Sequence, residues 1–343
     1  MTGNAFTDAT CVGIARENWN VKTFQFSLTQ SPATFGFKAG QYVTLGLDID
    51  GEKMYRCYTV SSAPQAREDS LFEVTVKHSP GGPVSTWLHN RLTVGAKLEV
   101  SRPTGDFVLP EDNHDPLLFV AGGVGITPLM SMARAINACS QRRDIQFLQF
   151  ARTPDDILFR DELFAMSRSS HGITPHFYTS RASDAECAAG RLSIDILDRA
   201  VPDWKARRVY CCGPESFMST MRSLHMESGG TPSSFHQESF DLPEQPVMHA
   251  PASLGISSIR LSQSGLAVNC APGSTILDAV HAAPNGPRIP NACRSGVCGT
   301  CKLHMLEGQV EMNHNGGITD DEVEEGYILT CCSIPLSDVT IDY

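Results

Sequence analysis

Three cysteines lie within nine positions near the end of the chain, in the stretch NACRSGVCGTC. Cys293, Cys298 and Cys301 are spaced so that one loop could supply three thiolates to a single centre. Two irons bridged by sulfide need four thiolates, and gaps of four and then two residues are typical of a [2Fe–2S] cluster. A structural zinc site more often has two short-spaced pairs, and disulfides are disfavoured in a reducing compartment. The spacing therefore predicts an iron–sulfur centre.

The fourth thiolate must come from another segment, and GYILTCCSIP offers the adjacent Cys331 and Cys332. LTCCSIP resembles the L-x-C-x-x-x-P pattern of plant-type ferredoxins, whose triplet spacing the loop also shares. The resemblance implies that Cys331 is the ligand and Cys332 a buried thiol. Just upstream, Thr319 and Glu322 have the spacing of a capping box, which predicts a short helix before the ligand.

A second candidate site is the glycine-rich turn of FVAGGVGITP, at residues 119–128. A strand that ends in glycines and opens a helix can hold a phosphate with its backbone amides and the helix dipole. The turn departs from the G-x-G-x-x-G pattern, so an ordinary turn explains it equally well. YCCGPESFM, at 210–218, adds a strand ending in Cys-Gly-Pro before a helix. That motif would lie at the carboxyl edge of a sheet, where such folds bind ligands.

Two motifs near the N-terminus could bind a planar phosphorylated ligand. In RCYTVSS, Arg56 and Tyr58 would share one face of a strand, where a guanidinium can meet phosphate and a ring can stack. GGPVSTWLH, at 81–89, opens a helix with a further cluster of amides. For the isolated tripeptide, a surface arginine beside a core tyrosine is the simpler interpretation.

Periodicity divides the chain into regions that could position these motifs. Residues 1–112 contain short β-rich runs separated by turn residues, which predicts a small antiparallel β-barrel or sandwich. Residues 113–240 alternate strand-like and helix-like runs, which predicts a parallel α/β sheet. Residues 241–255 contain three prolines and predict an extended linker before a third unit at 256–343. The predicted strands are 23–28, 41–47, 71–78, 97–101, 117–121, 145–150, 173–179 and 207–212, and the predicted helices are 128–136, 161–168 and 215–227.

Composition and charge limit the classes of function. At 343 residues, with 41% hydrophobic and 19% charged, the chain has room for two or three domains with cores. Its net charge of −11 argues against nucleic acid or an anionic membrane as a partner, and residues 256–343 carry a net −6 of it. No signal-peptide pattern opens the chain, and glycines and a proline interrupt the uncharged run at 116–133. We therefore expect a cytoplasmic protein.

Taken together and in this order, the five motifs resemble the ferredoxin–NADP reductase superfamily with a plant-type ferredoxin fused at the C-terminus. The resemblance covers nearly the whole chain. It implies a multidomain protein with an antiparallel six-stranded β-barrel that binds FAD (1–112) and an α/β parallel-sheet domain that binds NAD(P) (113–240). After the linker (241–255), an α+β domain of the β-grasp type would hold the [2Fe–2S] cluster (256–343).

The resemblance also implies roles for individual residues. Arg56 would hold the flavin pyrophosphate, Tyr58 would pack on the isoalloxazine, and Thr59 would lie near its reactive nitrogen. GDF, at 105–107, resembles the segment that accommodates the adenylate half, which favours FAD over FMN. The other residues implied to bind the flavin are Ser61, Gly82 and Ser85. Those implied to bind the nicotinamide nucleotide are Gly122, Gly123, Gly125, Thr127, Cys212, Gly213 and Pro214.

ESF, at 238–240, resembles the end of the reductase module beside the flavin. The residues expected nearest the reacting atoms are therefore Tyr58, Thr59, Cys212, Glu238 and Phe240. The implied path runs from NADH through FAD and the [2Fe–2S] cluster to a redox partner. NADPH stays open, because Ser180 with Arg181, or Arg152, could grip a 2′-phosphate.

Two groups of relatives share this domain order. The first contains reductases of Rieske-type oxygenases, particularly those that demethylate betaine- or carnitine-like quaternary amines, and this is the function we favour. The second contains NADH reductases of the hybrid cluster protein. A cluster-based redox sensor is an alternative of another class, but it would not need intact nucleotide motifs.

Overall fold

The structure is a computed structural model that forms two compact units. The larger unit comprises the described residues of 6–51 and 58–240, and the smaller comprises those of 52–57 and 255–343. The predicted linker lies outside the described residues except for its last position, Gly255. The structure describes residues 6–28, 35–64, 71–110, 115–138, 143–168, 172–240, 255–291, 294, 296, 298–314 and 317–343.

The N-terminal half of the larger unit is built on an antiparallel sheet. Apolar side chains such as Phe24 and Phe26 are completely buried, and the polar residues between them give the strands their alternation. The strands of this sheet are β1 (Phe6–Arg16), β2 (Val21–Leu28), β3 (Tyr42–Ile49), β4 (Glu52–Thr59), β5 (Leu71–Lys77) and β6 (Lys97–Ser101), in the order β4-β3-β6-β1-β2-β5. Of β4, only Tyr58 and Thr59 belong to the larger unit. A bridge between Val60 and Val74 joins the two edges, which confirms the predicted barrel. Helix α1 (Pro83–Asn90) follows β5 and has proline in its first turn.

The C-terminal half of the larger unit is a six-stranded sheet whose neighbouring strands are all parallel. The strands are β7 (Leu117–Gly122), β8 (Ile145–Ala151), β9 (Ile173–Thr179), β10 (Cys187–Ala189), β11 (Arg208–Cys212) and β12 (Phe235–Glu238), in the order β10-β9-β8-β7-β11-β12. The helices are α2 (Ile126–Ala138), α3 (Arg160–Ser167), α4 (Ile194–Ala200) and α5 (Glu215–Glu227). Phe119 packs into the core on one face and Val120 into the core on the other, so helices cover both faces.

The strand order of this parallel sheet reverses between β7 and β11. Strands β8, β9 and β10 extend to one side of β7, whereas β11 and β12 lie on the other side. A reversal of this kind leaves a crevice at the carboxyl ends of the two central strands, and ligands of such folds bind there.

The smaller unit contains a five-stranded sheet of order β14-β13-β19-β15-β17 and a two-stranded sheet of β16 and β18. Helix α6 packs its buried face, including Ile276 and Val280, into the same core as Cys301 and Cys331. The strands are β13 (Ser257–Leu261), β14 (Ala267–Cys270), β15 (Lys302–Glu307), β16 (Val310–Met312), β17 (Tyr327–Leu329), β18 (Ser333–Pro335) and β19 (Val339–Ile341), and the helices are α6 (Ile276–Ala282) and α7 (Asp320–Glu324). This arrangement confirms the predicted α+β class. Within the described ranges, every helix is too short or too polar to cross a membrane.

Candidate functional site

Two loops meet at the crevice between β7 and β11. A Cβ atom on Gly125 would lie 2.4 Å from the carbonyl oxygen of Cys212, and one on Gly213 would lie 3.0 Å from the Cα of Gly122. A side chain cannot be accommodated at such distances from backbone, so glycine at both positions lets the loops pack against each other. The glycine-rich turn and the Cys-Gly-Pro motif therefore form one site.

An open cavity of about 470 Å³ lies beside these loops. Gly123 lines it with a φ of 56° and has nothing within 4 Å of where its Cβ would lie. Three cationic side chains also line the cavity, Lys77 from β5 together with Arg152 and Arg191. The volume is that of a small-molecule site, and the cations with the backbone amides of the turn suit a phosphorylated ligand.

The predicted nucleotide residues divide into two groups. Those that line the cavity are Gly122, Gly123 and Pro214. Gly125 and Gly213 instead hold the two loops together, and Thr127 donates from its hydroxyl to the carbonyl of Val124 at 3.2 Å, within the turn. Cys212 has no exposed surface. The direct contact of these four residues with a nucleotide stays a prediction.

Thr59, Cys212 and Glu238 converge from three parts of the chain. In the parallel pairing of β11 with β12, Cys212 lies opposite Glu238. The hydroxyl of Thr59, at the end of β4, donates to Oε2 of Glu238 at 3.3 Å. Three of the residues that we expected near the reacting atoms are thus brought together where the barrel meets the parallel sheet.

Both titratable groups of this cluster are held in their neutral forms. Burial raises the pKa of the Glu238 carboxyl to about 8, and the hydrogen bond from Thr59 acts in the opposite direction. Burial also raises the pKa of the Cys212 thiol well above its usual range, and the nearby Glu238 adds to this shift. At neutral pH the site therefore offers a carboxylic acid and a thiol rather than a carboxylate and a thiolate nucleophile.

The flavin motif presents a half-buried ring and a hydroxyl at the end of β4. Tyr58 is partly exposed, whereas Thr59 is buried. Arg56 is exposed and belongs to the smaller unit, and its guanidinium donates to the carbonyl of Tyr55 at 2.8 Å. Ser61 is fully buried, and its hydroxyl lies 2.9 Å from that of Thr75. A flavin role for each of them stays a prediction.

The start of α1 is closed by its own loop. Gly82 is the residue before the helix, and the hydroxyl of Ser85 donates to the carbonyls of Gly82 and Ser79 at 3.2 and 3.3 Å. In GDF, Gly105 has a φ of 115°, and Phe107 packs edge-on against Tyr210 of the parallel sheet at 5.5 Å. These contacts shape the barrel, and the predicted contacts with flavin phosphate and adenylate are not tested by them.

Phe240 follows β12 and is 42% exposed, so its ring is available to cover a planar ligand. The partly exposed ring of Tyr58 and the exposed ring of Phe240 can stack on an isoalloxazine ring, and the hydroxyl of Thr59 can form a hydrogen bond with it. The residues of the larger unit therefore fit a flavin.

Three of the four predicted cluster ligands are described, and all are buried. Cys298 is 8% exposed, Cys301 2% and Cys331 4%. Thr330, next to Cys331, donates both its amide and its hydroxyl to the carbonyl of Cys301, at 3.2 and 3.1 Å. Cys293 lies outside the described residues. This contact holds the loop of Cys301 against the segment of Cys331.

The loop that precedes Cys301 turns tightly. Arg294, Gly296 and Gly299 have φ values of 57°, 72° and 67°. The amide of Gly317 donates to the carbonyl of Gly296 at 2.9 Å, which ties the loop to the rest of the domain. Buried sulfurs on a tightly turned loop suit a thiolate-ligated cluster in their donor chemistry.

The ligand set itself stays a prediction. Among the described residues, no group of three or more His, Cys, Asp and Glu side chains is arranged to hold a metal ion, and Cys293 is not one of them. Cys332 was expected to be buried, but it is partly exposed, and its thiol donates to the carbonyl of Leu329 at 3.6 Å. That carbonyl lies at the end of β17, and Cys332 packs only partly against the core of the smaller unit.

Sequence reasoning missed Lys77 and Arg191 of the cavity. Lys77 is the last residue but one of the predicted strand 71–78, and a lysine near the end of that strand was a usable signal for phosphate. Arg191 follows the three-residue strand β10, which is too short to be recognised from periodicity. Because β10 could not be predicted, the position of Arg191 beside it could not be predicted either.

Comparison with known proteins gives three domain assignments. A model described as an oxidoreductase FAD-binding domain matches residues 9–109, and one described as an oxidoreductase NAD-binding domain matches residues 119–223. A 2Fe-2S iron-sulfur cluster binding domain matches residues 259–336. The three domains and their order are those expected from the motifs.

Relatives that match this chain over nearly the whole length of both proteins share this organisation. The glycine betaine monooxygenase reductase subunit of Pseudomonas aeruginosa is 40% identical, covering 97% of this chain and 94% of its own. The stachydrine N-demethylase reductase subunit of Rhizobium meliloti is 36% identical, with coverage of 97% and 95%. The solved structure of phthalate dioxygenase reductase, described as modular and transferring electrons from pyridine nucleotides to [2Fe-2S], is 26% identical, covers 98% of both chains and has a TM-score of 0.60. The chain therefore belongs to the family of modular FAD-, NAD- and [2Fe–2S]-binding oxidoreductases that includes these reductase subunits.

Proposed function

We propose that the chain is the reductase component of a monooxygenase system, and that it delivers electrons to a separate Rieske-type oxygenase that demethylates a quaternary amine. The observation that carries the proposal is the 40% identity to the glycine betaine monooxygenase reductase subunit over 97% of this chain. The stachydrine N-demethylase reductase subunit supports the same substrate class, because its system also removes an N-methyl group. We place the protein in the cytoplasm.

The cavity and its loops would bind the nucleotide. The amide-lined turn at Gly123 and the cations Lys77 and Arg191 would hold its phosphates. Orientation would come from Gly125 and Gly213, which fix the two loops against each other. Hydride transfer needs reacting atoms held about 3–3.5 Å apart, so rigid loops at this point serve the reaction directly.

The cofactors and the protein would divide the chemistry between them. When bound, the flavin and the cluster together convert a two-electron hydride into two single-electron transfers. Glu238 would hold a proton on its carboxyl group at neutral pH, oriented by the hydroxyl of Thr59. Phe240 would exclude water from the flavin ring. The cluster would be held by Cys293, Cys298, Cys301 and Cys331.

We propose NADH as the preferred nucleotide. Of the Ser180–Arg181 pair that could grip a 2′-phosphate, only Ser180 is among the residues that line the cavity. Arg152 does line the cavity, but its Nε forms an ion pair with Asp156 at 3.4 Å. The carboxylate of Asp156 offsets the positive charge of Arg152 that would otherwise bind a 2′-phosphate.

Reconstitution tests the proposed partner. Purified holoprotein, a Rieske-type oxygenase and glycine betaine would be mixed with NADH in air, and formaldehyde would be measured as the product of demethylation. We expect formaldehyde in proportion to NADH consumed. Rapid reduction of an artificial acceptor without transfer to any Rieske-type oxygenase, together with reduction of a hybrid cluster protein, would contradict the proposed partner and favour the second group of relatives.

A further inference from the structure

One helix of the larger unit contacts both the nucleotide loops and the flavin motif. Helix α2 begins directly after the glycine-rich turn. Two turns along it, the guanidinium of Arg134 donates to the carbonyl oxygen of Ser61 at 2.8 Å. Ser131, one turn earlier, donates from its hydroxyl to the carbonyl of Ser62 at 2.6 Å. Ser61 and Ser62 end the RCYTVSS motif, so the helix that starts at the nucleotide site is bonded along its side to the flavin motif.

The Arg134 side chain is held rigidly at this point. Its Nε and Nη2 donate to the two carboxylate oxygens of Glu162 at 2.8 and 2.7 Å, and its Nη1 lies 3.3 Å from Glu73 of β5. The guanidinium also lies 4.9 Å from the centre of the Phe159 ring. The side chain is only 17% exposed. The bidentate pair with Glu162 and the contact with the Phe159 ring together restrict the guanidinium to one orientation. Its hydrogen bond to Ser61 is therefore held in a fixed position.

Neither Arg134 nor Ser131 lines the nucleotide cavity. Their bonds go to backbone carbonyls of the flavin motif, two and three positions beyond Thr59. A bond to backbone sets the position of a chain segment rather than supplying chemistry. A displacement of about 1 Å at a site of hydride transfer is enough to slow the reaction severely.

We infer that Arg134, assisted by Ser131, is a positioning residue that fixes the nucleotide loops relative to the flavin motif during hydride transfer. The inference rests on the proposed transfer of hydride from nucleotide to flavin and adds the element that sets its geometry. Glu162 and Glu73 act through Arg134, since they orient its guanidinium toward Ser61. We call the hydrogen bonds from Arg134 and Ser131 to Ser61 and Ser62 the bridge. Loss of the bridge would leave the cavity intact, but the distance between the cavity and the flavin motif would no longer be fixed.

The test compares Arg134→Gln with a matched control, Arg160→Gln. Arg160 also pairs with two carboxylates, Asp184 at 3.1 Å and Glu186 at 3.6 Å, but all three residues lie in the parallel-sheet half of the unit. Anaerobic stopped-flow absorbance would give the limiting rate of flavin reduction by NADH, and titration with NAD+ would give a dissociation constant. Hydrogen exchange of the backbone amides of residues 59–62 would be measured separately on flavin-free protein.

We expect Arg134→Gln to lower the limiting rate about tenfold or more while the dissociation constant changes by less than about threefold, as for loss of positioning alone. Exchange at residues 59–62 should accelerate about tenfold or more, because those amides are then less protected. Arg134→Lys should recover part of both effects, and Arg160→Gln should show neither.

Two results would overturn the inference: an unchanged rate and unchanged exchange in Arg134→Gln, or an equal loss of rate in Arg160→Gln. If Arg134→Gln does not fold, Ser131→Ala can replace it, because it removes one neutral hydrogen bond at the same junction. We expect it to lower the limiting rate and to accelerate exchange at residues 59–62 by about threefold each. If NADH does not reduce the wild-type flavin at all, the proposed function fails. The exchange measurement still decides whether the bridge holds the flavin motif.

Discussion

Thr59 of the flavin barrel donates a hydrogen bond to Glu238 of the parallel sheet, with 3.3 Å between the two oxygens. The bond joins the last residue of β4 to the last residue of β12, and both residues belong to the larger unit. Cys212 lies beside Glu238 in the sheet, so the bond also connects the flavin motif with the Cys-Gly-Pro loop. Under the proposed function, hydride would pass from nucleotide to flavin beside this bond.

The first prediction concerns the pH dependence of flavin reduction. Because the pKa of Glu238 is raised to about 8, its carboxyl is neutral below that pH and becomes negative above it. A negative charge beside the flavin disfavours transfer of a hydride, so the rate should fall as the pH rises through about 8. In Glu238→Gln this step should disappear, and Cys212, whose pKa is also raised, does not replace it. Stopped-flow rates between about pH 6 and 9.5 would check this, and a step that persists in Glu238→Gln would contradict it.

The second prediction concerns the packing of the two loops. A methyl group at position 125 would meet the carbonyl of Cys212 at 2.4 Å, so Gly125→Ala should lower the free energy of unfolding by about 1–3 kcal/mol and weaken NADH binding. Gly36→Ala is the matched control, since nothing lies within 4 Å of its Cβ position. Thermal unfolding and NAD+ titration would measure both effects. Equal stability of the two variants would show that the loops do not need this contact.

Long, strongly patterned elements of this fold were predictable from the sequence. The predicted helix at 215–227 and the predicted strand at 173–179 have the same bounds in the structure, and the capping box of Thr319 and Glu322 is present. Helix α4 and strand β10 were missed because seven and three residues are too short to show a period. The strand β1 was missed as well, because five of its eleven residues are exposed and its apolar residues do not alternate regularly.

The third prediction separates the two adjacent cysteines. Cys331 is 4% exposed, beside the segment bonded to Cys301, whereas the thiol of Cys332 donates to the carbonyl of Leu329. Cys331→Ser should therefore lose the visible bands of the cluster and most of its iron, and Cys332→Ser should retain both. Iron content per chain, measured after anaerobic purification, would decide it. The reverse pattern would make Cys332 the ligand.

The fourth prediction concerns docking of the acidic C-terminal domain, whose residues 256–343 carry ten acidic and four basic side chains. A partner with a basic patch would be attracted over long range, so the rate of electron delivery should fall by about tenfold or more between low and high salt. Glu324→Gln should weaken the salt dependence, whereas Asp195→Asn, on α4, should not. Reduction of a small neutral acceptor serves as the reference. A partner rate that is indifferent to salt would rule out electrostatic docking.

The geometry of the site was less predictable than its residues. The sequence motifs identified Thr59, Cys212 and Glu238 as candidates. That these three side chains lie close together depends on strand order and register, which no local sequence pattern encodes. Arg134 had no signal at all, because an arginine on an amphipathic helix is ordinary and its partners, such as Glu73, are distant in sequence. Long-range ion pairs of this kind become visible only in the folded chain.

Anaerobic titration of the purified holoprotein with NADH, followed by visible absorbance, tests the central claim most directly. We predict bleaching of the flavin bands together with loss of the iron–sulfur bands, and a much weaker response to NADPH at equal concentration. Bleaching of both would establish the path from nucleotide through flavin to cluster. A flavin and cluster that stay oxidised with excess NADH and with excess NADPH would contradict the account.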